Sequence, residues 1–235
     1  SYMAEPWQAI RLHRKLLDAG LAGGAESCLI ADHLVAYTMA QPEWLDQLVL
    51  KGAFRAETFE GLMAFAVLAA GLKAEIAILP GDEALQKRCA SAFDQGRDLL
   101  TGIITDARKA IAAALPRIGP DASTASQEAP GLAPQQPTLE NYTQALSAAA
   151  FLAAIDTAAD NLEIADHLTL ERSRAAEVIE ETAGQLATIL AAADQDNGKK
   201  VRGLASHLAT LCGQLVGEAA QGRLVERFEA AEKAA

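Results

Sequence analysis

The side chains with the most chemical potential in this chain cluster past its midpoint. Asp156, Asp160, Glu163 and His167 are spaced four, three and four residues apart. At about 100° per residue, one unbroken helix would hold all four within an arc of about 60° on a single face. Three carboxylates and an imidazole converging in this way suit a divalent metal site in a helical bundle, because the cation neutralises acids that otherwise repel one another. The pentapeptide around His167, Ile164-Ala165-Asp166-His167-Leu168, also occurs as Ile30-Ala31-Asp32-His33-Leu34, and an acid precedes each histidine by seven residues, Asp160 and Glu26. Two such helices side by side would add Glu26 and His33 to the same site. The paired Glu-x-x-His motifs of di-iron bundles are absent, however, and the spacing here is Glu-x-x-x-His. The competing reading is a solvated acidic stripe beside the apolar face formed by Phe151, Ile155, Ala158, Leu162 and Ala165, and that reading is preferred.

Other candidates are weaker. Asp156 and Asp160 form a D-x-x-x-D pair of the type that holds magnesium against a diphosphate, but no second acidic helix and no aromatic-lined cavity accompany it. His207, in Ala-Ser-His-Leu-Ala-Thr, invites a phosphotransfer reading, and the lysine and glycine expected after such a histidine are replaced by Thr210 and later Gly213. His33 and Glu26 are expected on a buried helix face with Ile30, Leu34 and Tyr37, as a satisfied core pair. Asp166 falls on the apolar face of its helix, where it would need a partner such as Arg172 or Arg174. Ser206 and Cys212 have no recognisable elbow or base, and no Gly-rich loop follows a strand. Lys199, Lys200 and Arg202 form a basic cluster at a helix start, read as a solvated turn.

These residues must be carried by helices. Alanine accounts for much of the 51% hydrophobic content, aromatics are only 5%, and no alternating run marks a strand. Five of the eight prolines, Pro116, Pro120, Pro130, Pro134 and Pro137, define a linker at 116–137 with no hydrophobic period. The expected architecture is therefore all-α, with an N-terminal multi-helix segment at 4–115 and a C-terminal up-down bundle of three or four helices at 138–235. In the first segment, helices are expected from Pro6 to Gly20, Gly24 to Ala40, Pro42 to Leu50, about Thr58 to Pro80, and Asp82 to Leu115. The last of these carries a seam of Cys89, Phe93, Gly96, Leu100, Ile103, Ala107, Ala110 and Ala114. In the second, Thr138 caps a helix running to His167, and the pattern continues to Ala193 with a break near Thr169. A turn at Asp194 to Gly198 precedes a final helix with Val201, Leu204, Leu208, Leu211 and Leu215 on one seam.

The net charge of −11 and the scattered Lys and Arg oppose a nucleic-acid footprint. Three widely spaced cysteines make neither a zinc spacing nor a closed set of disulfides, and imply a reducing compartment. The longest apolar run, Gly61 to Leu72, is too short to span a bilayer, no export signal is visible, and Ser1-Tyr2-Met3 reads as a remnant before the native start. A cytoplasmic, non-enzymatic helical interaction module follows, an adaptor, chaperone-like or regulatory component that binds a protein partner or a second copy of itself, with no cofactor. The alternative is a metal- or small-molecule-binding bundle, an enzyme included, built on Asp156, Asp160, Glu163 and His167 with Glu26 and His33.

Overall fold

Residues that lose little on entering a helix dominate the long segments, and helix is what they form. The computed structural model describes residues 7–21, 29–38, 40, 56–78, 83–120, 130–133, 135–193 and 195–234. Among the described residues there are nine α-helices: α1 (Gln8–Asp18), α2 (29–38), α3 (Ala56–Ile76), α4 (Glu83–Ala113), α5 (Leu139–Ala154), α6 (Asp156–Asn161), α7 (Ala165–Ala192), α8 (Gln195–Val216) and α9 (Glu218–Ala234). Two short strands, β1 (Ile118–Pro120) and β2 (Pro130–Leu132), pair antiparallel with Ile118 opposite Leu132. The protein is all-α. None of the described helices is long and apolar enough to cross a membrane. The chain forms two compact units, one of Ser1–Ile103 with Ile155–His167, the other of Ile104–Ala154 with Leu168–Ala235.

The first unit is organised around α3, which is apolar nearly all round, as a helix with neighbours on several sides must be. It buries Leu62, Phe65, Leu68, Leu72 and Ile76, and both α1 and α6 pack on it. One continuous cluster joins Ile10 of α1, Ala31 and Val35 of α2, Leu68, Leu72 and Ile76 of α3, and Leu85 and Cys89 of α4. Gly96 permits a close approach in this unit: a Cβ there would overlap the Phe65 ring. α1 ends as its sequence suggests, with Gly20 at φ 72°, its N–H donating to Leu17 O at 2.8 Å and the Leu21 N–H to Leu16 O at 2.8 Å. This is the paired hydrogen-bond closure of a left-handed C-terminal glycine. Across the α1–α3 contact, the carboxylate of Glu75, 2% exposed, accepts from Arg11 Nε at 2.8 Å and from Arg14 Nη2 at 3.2 Å.

The second unit contains the end of α4, the ribbon, α5, α8, α9 and all of α7 beyond its first turn. Thr138 caps α5 as expected: Asn141 N–H donates to Thr138 Oγ1 at 3.2 Å, and Thr138 N–H donates to Asn141 Oδ1 at 3.0 Å. That reciprocal arrangement satisfies two otherwise orphaned donors. α5 packs on α8, and α8 packs on α9. Gly213 of α8 lies against Gln221 of α9 while Arg202 of α8 pairs with Glu232 of α9 at 2.9 Å, so the two helices run antiparallel. Gly217, at φ 116°, makes the corner between them.

Several expectations are corrected. The helix from Thr138 does not continue to His167: it breaks at Ile155, and α6 ends after one and a half turns at Asn161. Glu163 then takes φ 59°, its N–H donating to Asp160 O at 3.1 Å and that of Ile164 to Ala159 O at 2.8 Å. This is the same closure that Gly20 makes, formed here by a glutamate. No break occurs at Thr169, which lies within α7. Within 116–137, β1 and β2 form the short ribbon. The Gln136 amide ties the base of the ribbon, donating to Arg117 O at 2.9 Å and Ala133 O at 2.8 Å and accepting from Arg117 N–H at 3.1 Å. The two compact units divide the chain at 103/104, 154/155 and 167/168. α8 begins at Gln195 and takes in most of the expected turn at Asp194 to Gly198. The α4 seam is buried through Ala107, after which Ile111 and Leu115 replace Ala110 and Ala114 as the inward residues. The expected helix at 42–50, the Pro6 start and the Asp82 cap lie outside the described residues.

Candidate functional site

The proposed metal ligands depend on one helix, and that helix is interrupted. Asp156 and Asp160 are on α6, Glu163 is in the left-handed turn, and His167 is in the first turn of α7. The two aspartates and Glu163 are exposed and His167 is half-buried. Glu163 is occupied by Lys73 of α3, whose ammonium donates to Oε1 at 2.9 Å and also lies 3.8 Å over the Phe93 ring. Among the described residues no three His, Cys, Asp or Glu side chains are grouped to hold a metal ion. Glu26 lies outside the described residues.

The two pentapeptide copies also occupy different structural settings. The first lies wholly inside α2, where Ala31 is buried, Asp32 pairs with Arg88, and His33 is exposed. His33 and Tyr37 therefore do not join the core as expected, because the inward residues of α2 are Ala31, Val35 and Thr38. The second copy straddles the start of α7, with Ile164 before the helix, Leu168 buried, and Asp166 exposed rather than on the apolar face. Asp166 instead occupies the first turn of α7, where a negative charge is favoured by the helix dipole.

The buried charges that do exist are structural clamps. Besides Glu75, Glu171 of α7 is 2% exposed and is held by Arg108 of α4 and by Arg174 at 2.5 Å. Burial alone would raise its carboxyl, but hydrogen bonds from Arg174 and Arg108 and their positive charge outweigh it and hold the group below the ordinary glutamate value. Cys89 and Cys212 are buried free thiols. Burial pushes the Cys89 thiol up to about 11 despite the nearby Lys73 charge, and burial with Glu180 raises that of Cys212 against Arg223. Neither is poised as a nucleophile.

One concave site collects residues of several elements. Between the first turn of α5 and the middle of α8 lies a cavity of about 140 Å³, bordered by Pro116, Pro137, Tyr142, His207, Leu208 and Leu211. The Tyr142 and His207 rings stack with centroids 4.2 Å apart and planes at 22°. Leu208 and Leu211 are buried beneath it, while Leu139 stands 74% exposed at its rim. The Thr138 cap fixes the direction of α5, and the Gln136 amide fixes the segment leading to it. His207 stood out in the sequence, but Tyr142 did not, because their contact joins elements far apart in the chain and no local spacing announces it. Compared with known proteins, the chain matches no family model, no curated protein and no solved structure.

Proposed function

We propose that this chain is a helical interaction protein without enzymatic activity, an adaptor, chaperone-like or regulatory component that binds another protein or a second copy of itself through apolar helix faces. The observation that carries this reading is the outward row on α2. Leu29 and Tyr37 are 60% and 57% exposed, His33 between them is also exposed, and the four-residue spacing aligns all three on one face. Leu12 and Leu16 of α1, 57% and 37% exposed, form a shorter row of the same kind. Large apolar side chains aligned in water mark interaction surfaces more often than the same residues scattered singly.

Light scattering over a concentration series, combined with photocrosslinking from position 33, tests the reading. Supporting results are concentration-dependent association, or a crosslink to a discrete partner, that is lost in a Leu29→Lys, Tyr37→Lys double variant of unchanged helicity. A strictly monomeric protein with no specific crosslink would overturn it.

A further inference from the structure

We infer that the cavity between α5 and α8 is a binding site for a small, uncharged, single-ring aromatic compound. Its size sets the first limit. Cavities of about 150 Å³ with apolar walls take up benzene, whereas sites for cofactor-sized ligands run to roughly 300–1,000 Å³. At about 140 Å³ this half-open cleft has room for one ring within its walls, and a fused pair would project past the exposed Leu139 and His207 into water.

Its chemistry sets the second limit. No Asp, Glu, Lys or Arg lines it, so a charged ligand would lose hydration without gaining a counter-charge. The floor is formed by the buried Leu208 and Leu211, and the Tyr142–His207 stack offers a ring-sized aromatic wall. The proline rings of Pro116 and Pro137 add rigid apolar border. The site is also held in place before any ligand arrives, because the Thr138–Asn141 cap and the Gln136 bridges fix the segments that carry Pro137 and Tyr142. Such preorganisation lowers the cost of binding. This inference concerns the second unit alone and does not depend on the apolar rows of α1 and α2.

Methyl-resolved NMR of the full chain, titrated separately with phenol, benzoate and 1-naphthol, tests it. Phenol is expected to shift the Leu204, Leu208 and Leu211 methyls saturably, with a Kd on the order of 1 mM for so small a ligand. Benzoate and naphthol are each expected to bind at least about tenfold more weakly, for reasons of charge and size. Ala114→Phe, which fills the cavity from its half-buried edge, should abolish the phenol shifts with the helical signal unchanged. Should that variant misfold, Leu204→Trp serves the same purpose. Non-saturating phenol shifts, equal binding of benzoate, or phenol binding that survives cavity filling in a folded variant would overturn the inference.

Discussion

The glutamate clamped by two arginines in α7 is the residue with the clearest energetic signature. Because the folded value of Glu171 is depressed, its contribution is complete above the ordinary glutamate pKa of about 4.3 and is lost as pH falls through the lower folded value. Glu171→Gln is therefore expected to lower stability by about 1–3 kcal/mol at neutral pH, with the difference from wild type shrinking toward pH 3. Urea unfolding at a series of pH values measures this, and a pH-independent difference would contradict it. Buried thiols behave in the opposite sense, since they resist ionisation. Cys89 and Cys212 should remain unmodified by iodoacetamide at pH 8 in the folded protein and react fully in denaturant, as read by peptide mass spectrometry. The acids of α6 and the turn after it are exposed, and Glu163 is paired to Lys73.

At the scale of elements, the turn after α6 shows where sequence reading fails and why. Gly20 announced the end of α1 and Thr138 announced the start of α5, because each acts through local backbone chemistry. The break at 155–164 contains neither glycine nor proline. A glutamate is held at positive φ there because α6 packs on α3, and tertiary packing overrides the residue's own preference. Reading 138–167 as one helix is what aligns Asp156, Asp160, Glu163 and His167 on a single face, whereas α6, the turn and α7 divide them. Buried positions of α4 through Ala107 were legible from their spacing, whereas the partner of His207 was not, since no periodicity encodes which helix lies opposite. Glu163→Gly should relieve a left-handed cost of about 1 kcal/mol and lose an exposed ion pair worth at most about the same. It is expected to be at least as stable as wild type, while Glu163→Ala, which keeps the strain and loses the pair, is less stable. Equal midpoints for the two variants in thermal unfolding would show that the turn is unstrained. Gly217→Ala, at φ 116° between α8 and α9, is expected to cost about 1–3 kcal/mol.

For the whole molecule, the decisive property is that neither compact unit is a continuous stretch of chain. The first needs Ile155–His167, and the second needs the residues of α4 from Ile104 onward. Fragments 1–137 and 138–235 are therefore each expected to show less helix by circular dichroism than their share of the intact protein, with signal recovered on mixing. Two fragments that fold fully alone would instead support division at the proline-rich segment.

The return of α6 to α3 also has a bearing on how the protein is made. During synthesis the apolar α3 emerges well before the segment that packs on it, since about eighty residues separate Ile76 at its end from Asp156 at the start of α6. At roughly 5–20 residues per second, the nascent first unit spends several seconds without α6. For that interval, part of the α3 surface is available to water, to chaperones or to a neighbouring nascent chain, and the order of translation becomes part of the folding problem.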